Sequence, residues 1–112
     1  MEAVAYSKEL EKRIEALIVA WPNLEKRKMF GGVCYLTDGT ICFGIWKDLL
    51  IVRTGADAAA EKLQMEHVRP FDVTGTPMKG WLMVAEEGWE TEAELRGWLA
   101  LGREYALSLP VK

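Results

Sequence analysis

Two apolar runs held apart by Asp38-Gly39 constrain this chain more than any other feature. Both turn residues tolerate the positive φ of a two-residue type I′ hairpin, so the flanking runs are expected to pair as antiparallel strands. Counting outward from Thr37 and Thr40 sets Leu36 against Ile41, Tyr35 against Cys42, Cys34 against Phe43 and Val33 against Gly44. Side chains alternate along a strand, so Cys34, Leu36, Ile41, Phe43 and Ile45 share one face, the expected core face. Lys47-Asp48 reads as a second short turn, which adds Leu50 and Val52 to that core face. The opposite face then carries Tyr35, Trp46, Ile51 and Arg53, with Leu49 among them.

The flanking segments extend this three-strand meander. Ser7 is a candidate N-cap for a helix whose apolar positions are Leu10, Ile14, Leu17, Ile18 and Trp21, ended by Pro22. Residues 24–28 read as a connector. A short alanine-rich helix is expected from Ala56 to Met65, with Ala59, Ala60 and Leu63 toward the sheet. Val68 to Val73 reads as an edge strand because of Pro70, followed by a loop at 74–77. Gly80 to Ala85 reads as an inner strand, with Trp81 and Met83 on one side and Leu82 and Val84 on the other. Thr91 and Glu94 form a capping box, and Leu95, Trp98, Leu99, Gly102, Tyr105, Ala106 and Leu109 make one stripe of the last helix, stopped by Pro110.

The expected architecture is α+β in the order α-β(3)-α-β(2)-α: helices on one side of an antiparallel sheet of about five strands, as one domain over residues 1–112. A chain of 112 residues buries just under about 70% of its unfolded surface, enough to stand without disulfides. No apolar run reaches the length of a membrane span and the N-terminus is unlike a secretory signal, so a cytoplasmic protein is expected. The two cysteines fall on opposite faces in the expected register and read as buried free thiols.

Candidate catalytic groups are sparse. His67, the single histidine, lacks converging ligands or a substrate proton to take, and reads as a surface or helix-end residue. Neither cysteine has the electropositive, open setting of a reactive thiol. The glycines at 31–32 and 75–80 precede strands, not helices, unlike a phosphate loop. Lys26-Arg27-Lys28 reads as a solvated run, and a net charge of −3 argues against direct nucleic-acid binding. The residues predict no enzyme, cofactor or metal. They leave Tyr35, Trp46, Ile51, Arg53, Lys79 and Trp81 as a candidate interaction surface, because an uncovered apolar sheet face marks a partner or ligand site.

Met29-Phe30-Gly31-Gly32-Val33, Asp38-Gly39, Phe43-Gly44, Asp48, Leu50-Ile51-Val52-Arg53, Phe71 and Pro77-Met78-Lys79-Gly80-Trp81 together resemble the TfoX N-terminal domain over almost the whole chain. The resemblance implies the same α-β(3)-α-β(2)-α order, a fold like that of secretion chaperones. It also implies kinship with bacterial regulators of natural competence that work with a transcription factor. The chain is expected to be a short standalone member, without the second domain of those regulators, and Thr76 stands where many short relatives carry arginine. The expected role is regulatory or accessory, through a protein partner such as a transcription factor, with a homodimer as a further expectation. The alternatives are a small-molecule or anion binder, or an enzyme, with a pocket near Gly31-Gly32, Arg53 and Lys79, and a direct nucleic-acid binder.

Overall fold

The computed structural model describes residues 6–29, 31–72, 75 and 78–109. Helix α1 spans Lys8–Ile18, and its Ser7 cap accepts a hydrogen bond from the Leu10 amide at 3.1 Å. Leu10, Ile14 and Ile18 are buried on its inner face. The chain then reverses at Asn23, which adopts a positive φ of 60°.

Residues expected to be a connector form strand β1, Leu24–Met29, so the sheet has six strands where about five were expected. The reason lies outside the segment. Lys26 Nζ lies 2.6 Å from Glu11 Oε2 and 2.6 Å from Glu15 Oε2, both on α1. Glu15 also accepts from the Tyr35 hydroxyl at 2.9 Å, and Glu11 from the Tyr6 hydroxyl at 3.0 Å. A run of charged side chains suits an edge strand, since it keeps the strand from pairing with other chains.

Strands β2 (Gly32–Thr37), β3 (Thr40–Trp46) and β4 (Leu49–Arg53) form the expected meander. Asp38 and Gly39 have the positive φ values, 50° and 82°, that the hairpin requires. The register departs from expectation one step beyond the turn. Leu36 pairs with Ile41, but Tyr35 pairs with Phe43, Cys34 with Gly44 and Val33 with Ile45. Cys42 is therefore the extra residue of a β-bulge, and the side chains of β2 lie on the faces opposite to those expected. Val33 and Tyr35 join the helix-side core with Cys42, Phe43 and Ile45, while Cys34, Leu36 and Ile41, expected there, do not belong to it. Ile41, Cys42 and Phe43 are all apolar, so the alternation pattern cannot reveal which of them is extra.

Helix α2 spans Ala56–Lys62 and buries Ala59, but Leu63, expected against the sheet, is 39% exposed. Edge strand β5 (Val68–Phe71) carries Pro70 as expected, and β6 (Met78–Val84) lies between β4 and β5. The order is β1-β2-β3-β4-β6-β5, antiparallel throughout. After a 3-10 turn at Glu86–Gly88, the capping box of Thr91 and Glu94 opens helix α3, Glu92–Ser108, as expected. Its buried stripe is Leu95, Trp98, Leu99, Gly102 and Ala106. Buried side chains of all three helices share one core with the sheet. The loop at 74–77, apart from Gly75, and the stop at Pro110 lie outside the described residues. Among those described, no helix is long and apolar enough to cross a membrane.

Gly102 decides how closely α3 approaches. A Cβ there would run into the carbonyl of Cys42, the bulged residue, so Gly102→Ala must push α3 off the sheet. Overpacking of this kind costs about 1–3 kcal/mol, expected as a lowered urea midpoint with unchanged m-value. Burial alone would raise Glu11, but the hydrogen bonds from Lys26 and Tyr6 outweigh it and hold its carboxyl below the ordinary 4.5. The hydrogen bonds to Glu11 and Glu15 raise Lys26 above 10.5, while burial and then the bond to Glu15 raise Tyr35 above 10.0. The Glu11 contribution is therefore present above its unfolded pKa and lost as the pH falls; those of Lys26 and Tyr35 are present below theirs and lost as the pH rises. Lys26→Met is expected to cost about 1 kcal/mol near neutrality, the penalty shrinking toward both pH extremes. Urea titrations of both proteins at acid, neutral and alkaline pH check it, and a gap independent of pH would reject the network's role.

Candidate interaction face and the adjoining cleft

The sheet face away from the helices is built by β3, β4, β6 and β5. Trp46 pairs with Leu49, Ile51 with Met83 and Arg53 with Trp81, which places successive apolar side chains side by side. Leu49, Ile51, Phe71 and Met83 form a second apolar cluster, against which Trp46, Trp81 and Ala85 pack half-buried. The ring of Phe71 lies 5.8 Å from that of Trp81. The cluster gathers on this face because Trp81 and Met83 alternate with Leu82 and Val84 along β6, as the sequence predicts.

A cation lies over the tryptophan at each end. Lys47 Nζ is 4.6 Å from the Trp46 ring centre, and the Arg53 guanidinium is 5.3 Å from Trp81 and 5.5 Å from Tyr105. Neither cation forms an ion pair among the described residues, nor does Lys79. Beside Leu49 and Met83 lies a hollow of about 290 Å³, lined also by His67, Val68, Arg69 and Ala85. At the Arg53 end, a cleft of about 360 Å³ opens between α2 and the β5–β6 pair, with Trp81 and Lys79 in its wall.

Of the six residues singled out in the sequence, Trp46, Ile51, Arg53 and Trp81 meet here, with Lys79 beside them. Ile51 is buried beneath the surface rather than displayed on it. Tyr35 does not belong to this face. The Cys42 bulge turns it to the helix side, where it packs 5.5 Å from Phe43 and bonds Glu15. Sequence reasoning missed Lys47, read only as a turn residue, and Phe71, whose short strand shows too little alternation to assign a face.

Other candidates resolve simply. His67 is exposed, 3.7 Å from a Glu66 carboxylate oxygen and 4.0 Å from one of Glu87. No group of three or more His, Cys, Asp or Glu among the described residues is arranged to hold a metal. Gly32 lies under the Ile45 carbonyl, where a Cβ would clash, so its role is close strand packing. Lys26 and Arg27 are committed to carboxylates, Arg27 to Glu25 at 2.6 Å, which removes two of the three charges in the basic run.

The TfoX N-terminal domain matches residues 16–106, a span that takes in the whole sheet and most of α3. The chain belongs to the TfoX N-terminal domain family. No curated protein matches it. Within this TfoX-family chain the motif residues Arg53, Lys79, Gly80 and Trp81 converge where β4 leaves the sheet. There the Thr54 amide donates to the Gly80 carbonyl at 2.8 Å and the Gly55 amide to the same oxygen at 3.1 Å.

Both thiols of this TfoX-family chain are buried and free. Burial pushes Cys42 up to about 11, against the lowering effect of a backbone hydrogen bond at Thr37, and burial also raises Cys34. Ellman's reagent near pH 8 is therefore expected to label native protein at least about a hundredfold more slowly than urea-unfolded protein, in which both cysteines react.

Proposed function

We propose that this chain is a TfoX-like regulatory or accessory protein that acts without catalysis, by holding a protein partner against the Trp46–Trp81 face of its sheet. One observation carries the reading: each end of the face pairs a half-buried tryptophan with a stacked cation that has no ion pair among the described residues. Tryptophan and arginine supply a disproportionate share of binding energy at protein interfaces. The apolar cluster beneath them keeps the tryptophans in place, and the hollow beside Leu49 and Met83 has room for a projecting side chain of the partner.

Charge narrows the class of partner. The cations at the rim suit a surface bearing acidic side chains, and complementary charge speeds and orients encounter. The commitment of Lys26 and Arg27 to carboxylates, together with a net charge of −3, favours a protein partner over a phosphate backbone. Kinship with the competence regulators makes a transcription factor in the bacterial cytoplasm the partner to look for first.

The test is recovery of the tagged protein from its own cells after nuclease treatment, beside a Trp46→Ala/Arg53→Ala variant whose fold is checked by circular dichroism. A protein retained after nuclease and reduced at least about tenfold with the variant is the expected result, the size set by loss of two anchor residues. Equal recovery with both proteins, or recovery that nuclease abolishes, would reject this face as the interaction site.

A further inference from the structure

We propose that the cleft between α2 and the β5–β6 pair binds a small amphiphilic anion, a linear alkyl chain of medium length ending in a carboxylate. The cleft measures about 360 Å³, toward the small end of the ligand sites of about 300–1,000 Å³ found in proteins. Its walls are apolar: Ala59 and Ala60 of α2 and Leu63, the residue that caps its C-terminus, face Pro70, Met78 and Trp81 of the sheet. Alanines on the helix side leave the space open. Gly80 shapes the floor with a positive φ of 84°, and a Cβ there would approach Gly55 and Ala56 to 3.1–3.3 Å, so β6 passes close under the start of α2.

Leu63 and Met78 line this space, yet are 39% and 38% exposed. An alkyl chain in the cleft would take both out of water. Among the described residues Lys79 is the one charged lining group; it is exposed and without an ion pair, while Arg53 is stacked on the Trp81 wall. An apolar trough with cations at its rim complements a molecule with one apolar tail and one negative head. A polyanion such as a nucleotide would need further donors that these walls do not offer.

The cleft shares Trp81 with the proposed partner face, but its test alters neither Trp46 nor Arg53, so either reading can fail without the other. The protein is titrated with octanoate, 1-octanol and acetate, each followed by amide chemical shifts, beside Lys79→Met and Ala60→Phe. Ala60 is exposed, so phenylalanine there fills the trough without disturbing the core. Octanoate below its micelle concentration is expected to shift Ala59, Ala60, Gly80 and Trp81 saturably, with octanol at least about tenfold weaker and acetate without effect. Lys79→Met is expected to weaken octanoate about tenfold, the loss of one charged contact, and Ala60→Phe to abolish it. Absence of saturable octanoate binding overturns the proposal. So does octanol equal to octanoate, or octanoate binding unchanged in both variants.

Discussion

The carbonyl of Cys42 lies directly beneath Gly102 of α3, and the rest of the molecule is arranged around that contact. Because Cys42 is the extra residue of the β2–β3 bulge, Cys42 and Phe43 are both fully buried beneath the helices. The bulge turns Tyr35 inward to reach Glu15, and Cys34 outward. A residue larger than glycine at position 102 would separate α3 from the sheet, and with it Leu95 and Leu99 from the core they fill. Close-packed interiors transmit such a displacement because they have little slack.

The same inward turn of Tyr35 joins the edge of the sheet to α1. Tyr35 and Lys26 both reach Glu15, and Lys26 also reaches Glu11, so neighbouring strands hold one helix through its acidic side. Half-exposed ion pairs contribute little singly. Here several share two carboxylates, and one of those is only 12% exposed. The arrangement commits β1 as the outer strand and leaves its remaining charges to guard the edge.

With the helices all on one face, the other face has to stabilise itself. Phe71, Trp81, Trp46, Ile51 and Met83 do so by packing on one another, leaving two tryptophans half-buried with cations above them. Stability and recognition thus draw on the same side chains. The cleft at α2 arises from a different cause: a seven-residue helix rich in alanine covers less of the sheet than a longer, bulkier one would, and Gly80 lets β6 run close beneath its start.

Elements whose determinants are local were legible in the amino-acid sequence: the Asp38-Gly39 turn, the Ser7 cap, the Thr91–Glu94 capping box, and the Trp81/Met83 and Leu82/Val84 alternation. Each depends on residues a few positions apart, so its chemistry can be read in a short window. The family likeness, carried by several short motifs in order, was legible for the same reason. Strand β1 was not, because its Lys26 is held by Glu11 and Glu15 on another element. Nor was the bulge, since three consecutive apolar residues satisfy either register until α3 is laid across them. Four of the six candidate surface residues meet on one face, with Lys79 beside them, because β4, β6 and the part of β3 that follows the bulge alternate regularly. Tyr35 went to the other side because one inserted residue upstream of its pairing partner, fixed only by tertiary packing, reverses the faces of the strand.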